Sequence, residues 1–419
     1  VTTSRKVLTG AVLIVLLAAV AAAVLLYRPA LPEIATPAPE SFDRTLVKRG
    51  DGLARIGNCS GCHTVEGGQN FAGGLPLETP FGTIFSTNIT PARDTGLGAW
   101  SREAFVRAMR EGVSRDGHFL YPAFPYDHFT RASDSDLEAL YAFVMTRPAV
   151  EQRSSANRLD WPYGYRWLVA GWNLLYLQRG PSNDPDRGRL LAEGLAHCGG
   201  CHTPRDRNGA EIRDRAYAGA WTEDWYAPPL DASSPAAQPW TADALFAYLR
   251  TGLSKTHAAA AGPMGAVTRQ LAQAPEDDVR AIAAYFAGLM KDAPGARAPL
   301  PAIDRREEID RAQPEAAALF AGACASCHAP GAPMMQQGRP PLAWGTPLRE
   351  QSPHDTLHVL IEGLASPAGA AGPTMPGFGN LTDRQISAIA TYLRARFTDL
   401  PPWQNIEQAA SDIRKGTKP

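Results

Sequence analysis

The sequence predicts an all-α protein: three small helical domains in tandem behind one N-terminal membrane-crossing helix. Three observations predict it. A cysteine–histidine pattern occurs three times at domain-scale intervals, each copy is flanked by amphipathic segments of helical period, and the chain begins with a long uncharged apolar run.

The apolar run covers residues 7–26, twenty positions without a charge. As a helix it would span about 30 Å, the thickness of the hydrocarbon core of a bilayer. Arg5 and Lys6 precede it, and Tyr27 and Arg28 follow. The excess of positive charge before the span places the N-terminus in the cytoplasm and the rest of the chain outside. A cleaved export signal is the other reading, since Ala21-Ala22-Ala23 offers small residues for cleavage. Residues 1–30 are therefore expected to be an anchor or a signal, and either one exports the protein.

Composition narrows the function. Lys and Arg number 41 against 42 Asp and Glu, so no basic excess points to nucleic acid. Apolar residues make 44% of the 419, enough for real cores, while 38 Gly and 36 Pro require many loops and short elements.

The six cysteines decide the chemistry. Cys59-Ser-Gly-Cys62-His63, Cys198-Gly-Gly-Cys201-His202 and Cys324-Ala-Ser-Cys327-His328 are each C-x-x-C-H, the attachment pattern of haem c. Two thiols three positions apart reach the two vinyl groups on one porphyrin edge, and the adjacent imidazole meets the iron. Disulfides would leave the histidine after every second cysteine unexplained. Structural zinc would need a second ligand pair near each first pair, and none follows. A thioredoxin-like site would need a strand–helix setting that is missing here. Three covalently bound haems c are expected.

Each motif follows a helical segment: 44–56, 186–196 and 313–323. A second amphipathic segment comes later, at 102–110, 241–250 and 354–362. A closing helix ends each unit, at 133–146, 274–289 and 382–397, with Ser133, Pro275 and Thr382 at the starts. This is the plan of a cytochrome c domain, in which the porphyrin itself fills much of the core. The expected boundaries are 31–150, 181–300 and 301–419, the last with a C-terminal tail. An aromatic connector, 151–180, joins the first two. Its aromatic residues suit packing between domains, a membrane interface or a partner surface.

A six-coordinate haem needs a distal ligand from the loop before the closing helix. Met375 in Gly-Pro-Thr-Met-Pro-Gly and Met264 in Ala-Gly-Pro-Met-Gly are expected to ligate the third and second irons. The first loop has Phe124 where Met is expected, and phenylalanine cannot bind iron. His128 is the first choice there, with Met109, His118 or an open site as alternatives. His257, His354 and His358 are expected at surface or helix positions.

These residues resemble the membrane-anchored tri-haem cytochrome c subunits of periplasmic dehydrogenases in acetic acid bacteria and related proteobacteria. The marks are the three motifs, the Tyr121-Pro-Ala-Phe124-Pro-Tyr126 loop, the stretch from Gly194 to Arg205, and the acidic start of the closing helix at Ser133. The resemblance implies electron transfer from a catalytic partner to ubiquinone at the bacterial inner membrane, with the bulk of the chain in the periplasm. Partners in that family are a quinoprotein alcohol dehydrogenase, a flavin sugar or sugar-acid dehydrogenase, or a molybdopterin aldehyde dehydrogenase. The Phe124 form of the loop looks most like the last group, which implies a molybdopterin large subunit and a 2Fe-2S small subunit.

No Walker loop, dinucleotide fingerprint, metalloprotease helix or nucleophile elbow is found in the sequence. The chain reads as an electron relay, not catalytic alone. Its rivals are a haem peroxidase built on an open first haem and an electron donor to a terminal oxidase.

Overall fold

The computed structural model describes residues 10–417 except 11, 15, 18, 19, 21–23, 25, 292–299, 337–339 and 366–374. The chain divides into two units, Val1–Leu53 with Cys62–Asn183, and Ala54–Gly61 with Asp184–Pro419. Among the described residues no helix is long and apolar enough to cross a membrane. The predicted span at 7–26 lies largely outside them. Those of its residues that are described, Gly10, Val12, Leu13, Ile14, Leu16, Leu17, Val20, Val24 and Leu26, are helical and exposed.

Up to residue 183 the order is α1 (Arg44–Ile56), α2 (Cys59–His63), β1 (Pro76–Thr79), β2 (Gly82–Phe85), α3 (Arg102–Glu111), α4 (Tyr126–Phe129), α5 (Asp134–Met145), β3 (Arg158–Leu159) and α6 (Leu168–Tyr176). Local chemistry sets the ends. The Ser101 side chain accepts from the Ala104 amide and that of Ser133 from the Asp136 amide, so each serine satisfies an orphan donor of its helix. Gly112, at φ 62°, stops α3 in the left-handed region that only glycine enters freely. Helices α1 and α5 meet at Gly50, where an added Cβ would collide with the Ala139 carbonyl. Arg49 fixes the same contact with a 2.6 Å bond to the buried Asp136 carboxylate.

Unit 2 continues with α7 (Arg187–Glu193), α8 (Gly199–His202), β4 (Ala220–Thr222), β5 (Trp225–Ala227), α9 (Ala242–Thr251), α10 (Gly262–Leu271) and α11 (Glu276–Lys291). Then come α12 (Arg306–Ala312), α13 (Pro314–Ala323), α14 (Ala325–His328), α15 (His354–Glu362), α16 (Asp383–Phe397) and α17 (Ile406–Lys415). The crossing of α1 and α5 recurs between α7 and α11. Gly188 faces the Ala281 carbonyl with no room for a Cβ, and Arg187 pairs with Asp278 at 2.9 Å. Around the third motif, Tyr392 on α16 donates to Asp310 on α12 at 2.6 Å, and Arg396 pairs with Asp304 at 2.6 Å. A reciprocal cap joins Thr382 and Gln385 at the start of α16.

The predicted helices stand within a few residues of their expected ends. The fold is largely helical, as expected, and two small antiparallel sheets accompany the helices: β1-β2-β3 and β4-β5. Their strands have two to four residues each, too short for a period-2 pattern to register. The connector is also ordered, holding β3 and α6. The C-terminal stretch is no loose tail: α17 packs on α16 and buries Ala410 and Ile413 with Trp403.

Helix α15 lies against β5, where the Tyr226 amide donates to Asp355 Oδ1 at 2.8 Å. Burial pushes the Asp355 carboxyl up to about 6, and it raises the adjacent Glu350 carboxyl well above the carboxylate range. A carboxyl raised in the folded state adds stability below its ordinary pKa and loses it as pH rises through the folded value. Unit 2 is therefore expected to melt lower at pH 8 than at pH 5. Glu350→Gln, which removes the charge and keeps the shape, should raise the pH 8 melting temperature by about 2–4 °C. Its effect at pH 5 should be small. Calorimetry across that pH range checks the difference.

Candidate functional site

Each motif is one turn of helix, α2, α8 or α14, with Cys198 and Cys324 as the caps of the second and third. Helical spacing puts residues i, i+3 and i+4 on one face, so both sulfurs and the imidazole of a motif share a side. None of the six cysteines is in a disulfide bond. Burial pushes the Cys198 thiol up to about 12, with the Cys201 thiol adding to the rise. It pushes Cys324 up to about 11, with Cys327 adding in the same way.

The histidines are fixed through one nitrogen. His63 Nδ1 donates to the Thr87 carbonyl at 2.6 Å, and His202 Nδ1 donates to the Pro228 carbonyl at 2.7 Å. That assigns the proton to Nδ1 and leaves Nε2 with its lone pair, the arrangement of a metal-ligating histidine. Burial lowers the pKa of His63, His202 and His328, so all three rings are held neutral. Paired thiols beside a neutral imidazole with Nε2 available form the donor set that a covalent haem c takes. The residues fit that group.

A second device around the first two motifs escaped the sequence reading. Thr64 and Thr203, each directly after its histidine, accept at Oγ1 from the amides of Phe71 and Tyr217. Both aromatics stand at positive φ, 62° and 61°. Phe71 meets Phe143 edge-on at 5.7 Å, and Tyr217 meets Phe286 at 5.1 Å, so each ring is braced on its closing helix. The signal was present as Phe-Ala-Gly-Gly against Tyr-Ala-Gly-Ala, downstream of His-Thr in both segments.

On the distal side the first two segments share a backbone register. The Gly112 carbonyl accepts from Leu120 N, and that of Gly252 accepts from Ala260 N. The bridge Val113–Phe119 matches the bridge Leu253–Ala259. In this register Phe124 falls at the place of Met264, and His128 falls one helical turn further on. Met264 stands in the first turn of α10, not in the expected loop. Met375 lies in an extended pair with Leu364, whose amide donates to its carbonyl at 2.9 Å, and it packs against the third core.

Among the candidates for the first iron, His128 is half-buried on α4 and Met109 is buried on α3. His118 is exposed, and its Nδ1 lies 2.5 Å from Asp116 and 3.0 Å from Ser114 Oγ. Of the remaining histidines, His354 and His358 stand on α15 as expected, whereas His257 is neither on a helix nor at the surface. His257 is wholly buried, stacked on Trp240 at 3.4 Å, with Nε2 on the Gln238 carbonyl and its pKa pushed down to about 4 by burial. His358 is buried on α15 against Trp225, between Asp224 and Glu362. Both depend on partners distant in sequence.

The Phe124 loop is held from outside. Tyr126 is fully buried, touches Phe124 and Trp172, and donates to Asn173 Oδ1 on α6 at 2.6 Å. Burial raises its pKa, so the phenol remains a donor. Tyr126→Phe is expected to cost about 1–3 kcal/mol, because it leaves the buried Asn173 oxygen unpaired. Thermal melting measures the loss.

Residues 47–148 match the cytochrome c family, and residues 311–393 match the family of cytochrome c oxidase, cbb3-type, subunit III. A nicotinate dehydrogenase subunit of Pseudomonas putida is 42% identical over 93% of this chain, which spans 33% of that protein's length. The gluconate 2-dehydrogenase cytochrome c subunit of Pantoea cypripedii is 35% identical over 85% of this chain and 87% of its own. For the cytochrome c subunit of the quinone-linked alcohol dehydrogenase of Gluconobacter oxydans the figures are 32%, 90% and 83%. With the haem-type donor sets, this likeness along nearly the whole length means that the chain belongs to the family of cytochrome c subunits of dehydrogenase complexes.

Proposed function

We propose that the chain carries three covalent haems c, one per C-x-x-C-H motif in its own cytochrome domain, and passes electrons from a periplasmic dehydrogenase to ubiquinone in the inner membrane. The observation that carries this reading is the threefold recurrence of one donor set: two cysteines and a histidine, held neutral by burial, on one helical turn. Haem c, when bound, supplies a one-electron iron couple. The protein's part is attachment by Cys59 and Cys62, Cys198 and Cys201, and Cys324 and Cys327. His63, His202 and His328 are the proximal ligands, with Met264 and Met375 distal on the second and third irons. The exposed apolar helix that precedes Tyr27 supports attachment to the membrane.

The partner we favour is a molybdopterin large subunit with a 2Fe-2S small subunit, supported by the Phe124 form of the first loop. A quinoprotein alcohol or flavin sugar dehydrogenase is the second reading, supported by the gluconate and alcohol relatives. Purification of the native complex from membranes, followed by cofactor analysis, separates the two. Molybdenum with labile sulfide is the expected finding, and pyrroloquinoline quinone or flavin in its place overturns the choice of partner.

His128 is our ligand for the first iron, since Phe124 occupies the methionine position and cannot bind. A second imidazole lowers that haem's potential relative to the two Met-ligated ones. His128→Ala should produce a high-spin ferric signal and carbon monoxide binding at one haem of three. A variant that stays fully low-spin and binds no carbon monoxide transfers the role to Met109 or His118.

A further inference from the structure

Helix α6 is apolar on both sides. Its inner face, Val169 and Ala170, joins Val113 and Phe119 in one cluster, and Asn173 holds Tyr126. Its outer face carries Leu174 and Leu175, exposed at 72% and 70%, and Trp167, exposed at 56%, caps its start. The preceding loop adds Trp161, Tyr163 and Tyr165, all exposed, with Trp161 at 84%. A Cβ built on Gly164 or Gly171 meets nothing within 4 Å, so the protein leaves this face open. Residues 161–180 contain Arg166 and Arg179 and no acidic residue.

The end of the N-terminal apolar helix is fastened to the same loop that α6 covers. Arg28 lies over the Phe119 ring at 5.6 Å, and Arg107 donates to the Pro29 carbonyl at 2.7 Å. The Leu31 amide donates to the Arg115 carbonyl at 2.7 Å. From the side of α6, Arg166 donates to the Phe119 carbonyl at 2.8 Å. Phe119 is thus gripped by the exit of the apolar helix and by the root of α6.

We propose that this aromatic face of the first unit is seated in the bilayer interface, with Trp161, Trp167, Leu174 and Leu175 among the lipid headgroups and upper acyl chains. The occupant is a phospholipid surface. Tryptophan and tyrosine favour that depth, and leucines supply apolar burial. Continuity with the apolar helix selects lipid over a protein partner, because a helix entering a bilayer at Tyr27 brings the loop fastened to Arg28 and Pro29 to the surface. The consequence is functional. Tyr121 and Tyr126, which flank Phe124, are tied to the connector and to α6, so the distal loop of the first motif is held by the membrane-seated element.

This inference rests on the reading of the chain as a membrane-attached relay, and one experiment separates the two. The full chain, without dehydrogenase partners, is placed in nanodiscs of phosphatidylethanolamine and phosphatidylglycerol doped with a phospholipid bearing a diazirine in its acyl chain. After illumination, mass spectrometry locates the adducts. They are expected on peptides covering 161–176 as well as on the N-terminal segment. Leu174→Glu with Leu175→Glu should lose the 161–176 adducts and keep the N-terminal ones. Trp161→Ser with Trp167→Ser, placed outside the helix, should reduce them with haem content unchanged. Adducts confined to the N-terminal segment overturn the seated face alone. Adducts on neither region overturn membrane attachment with it. Adducts at 161–176 that survive both double variants also overturn the proposal.

Discussion

The structure depends on holding a neutral imidazole still beside two thiols, three times over, in a chain rich in loops. A single helical turn supplies the shared side. The orientation of the ring comes from elsewhere, since in the first two segments a carbonyl in a distant loop, of Thr87 or Pro228, takes the Nδ1 proton. Without that bond the ring would be free to turn or to change tautomer, and Nε2 would lose its direction. The long loop after each motif therefore has a task, and the threonine–aromatic brace at Thr64 and Thr203 anchors it to the closing helix. Crossings at Gly50 and Gly188 bring the first and last helices of each segment close enough to frame it.

Departures from this repeat mark where the segments divide their labour. The first segment puts Phe124 at the position that Met264 takes in the second, and it replaces a flexible thioether with an aromatic cluster locked to α6 by Tyr126. The third segment follows its histidine with Ala329 in place of threonine, and it surrounds its core with α17. The second and third segments meet through β5 and α15, where Trp225 stacks on His358 and Asp355 caps the Tyr226 amide. One plan thus recurs around three motifs with different surroundings, and ligand, burial and hydrogen bonding are the means a protein has to tune a haem's potential.

Much of this was legible in the sequence for local reasons. Ser133 and Thr382 announced helix starts because a cap is a contact between near neighbours, and the motifs announced themselves by spacing. What stayed hidden depends on partners far along the chain. His257 and His358 look like ordinary helix or loop residues until Trp240 and Trp225 close over them. The β1–β2 hairpin stayed hidden because Pro80 lies in its turn, Gly82 opens its second strand, and its strands are only four residues long. Met264 read as a loop residue because Pro263 and its flanking glycines suggest a turn, whereas proline in the first turn of a helix is favourable.

The central claim is a three-centre relay on one polypeptide. Spectroelectrochemical titration of the full chain, normalised to protein by amino-acid analysis, tests it most directly. Three one-electron steps per chain are predicted, one of them at lower potential than the other two. Two electrons per chain, with one motif carrying unmodified thiols in the mature protein, would contradict the account.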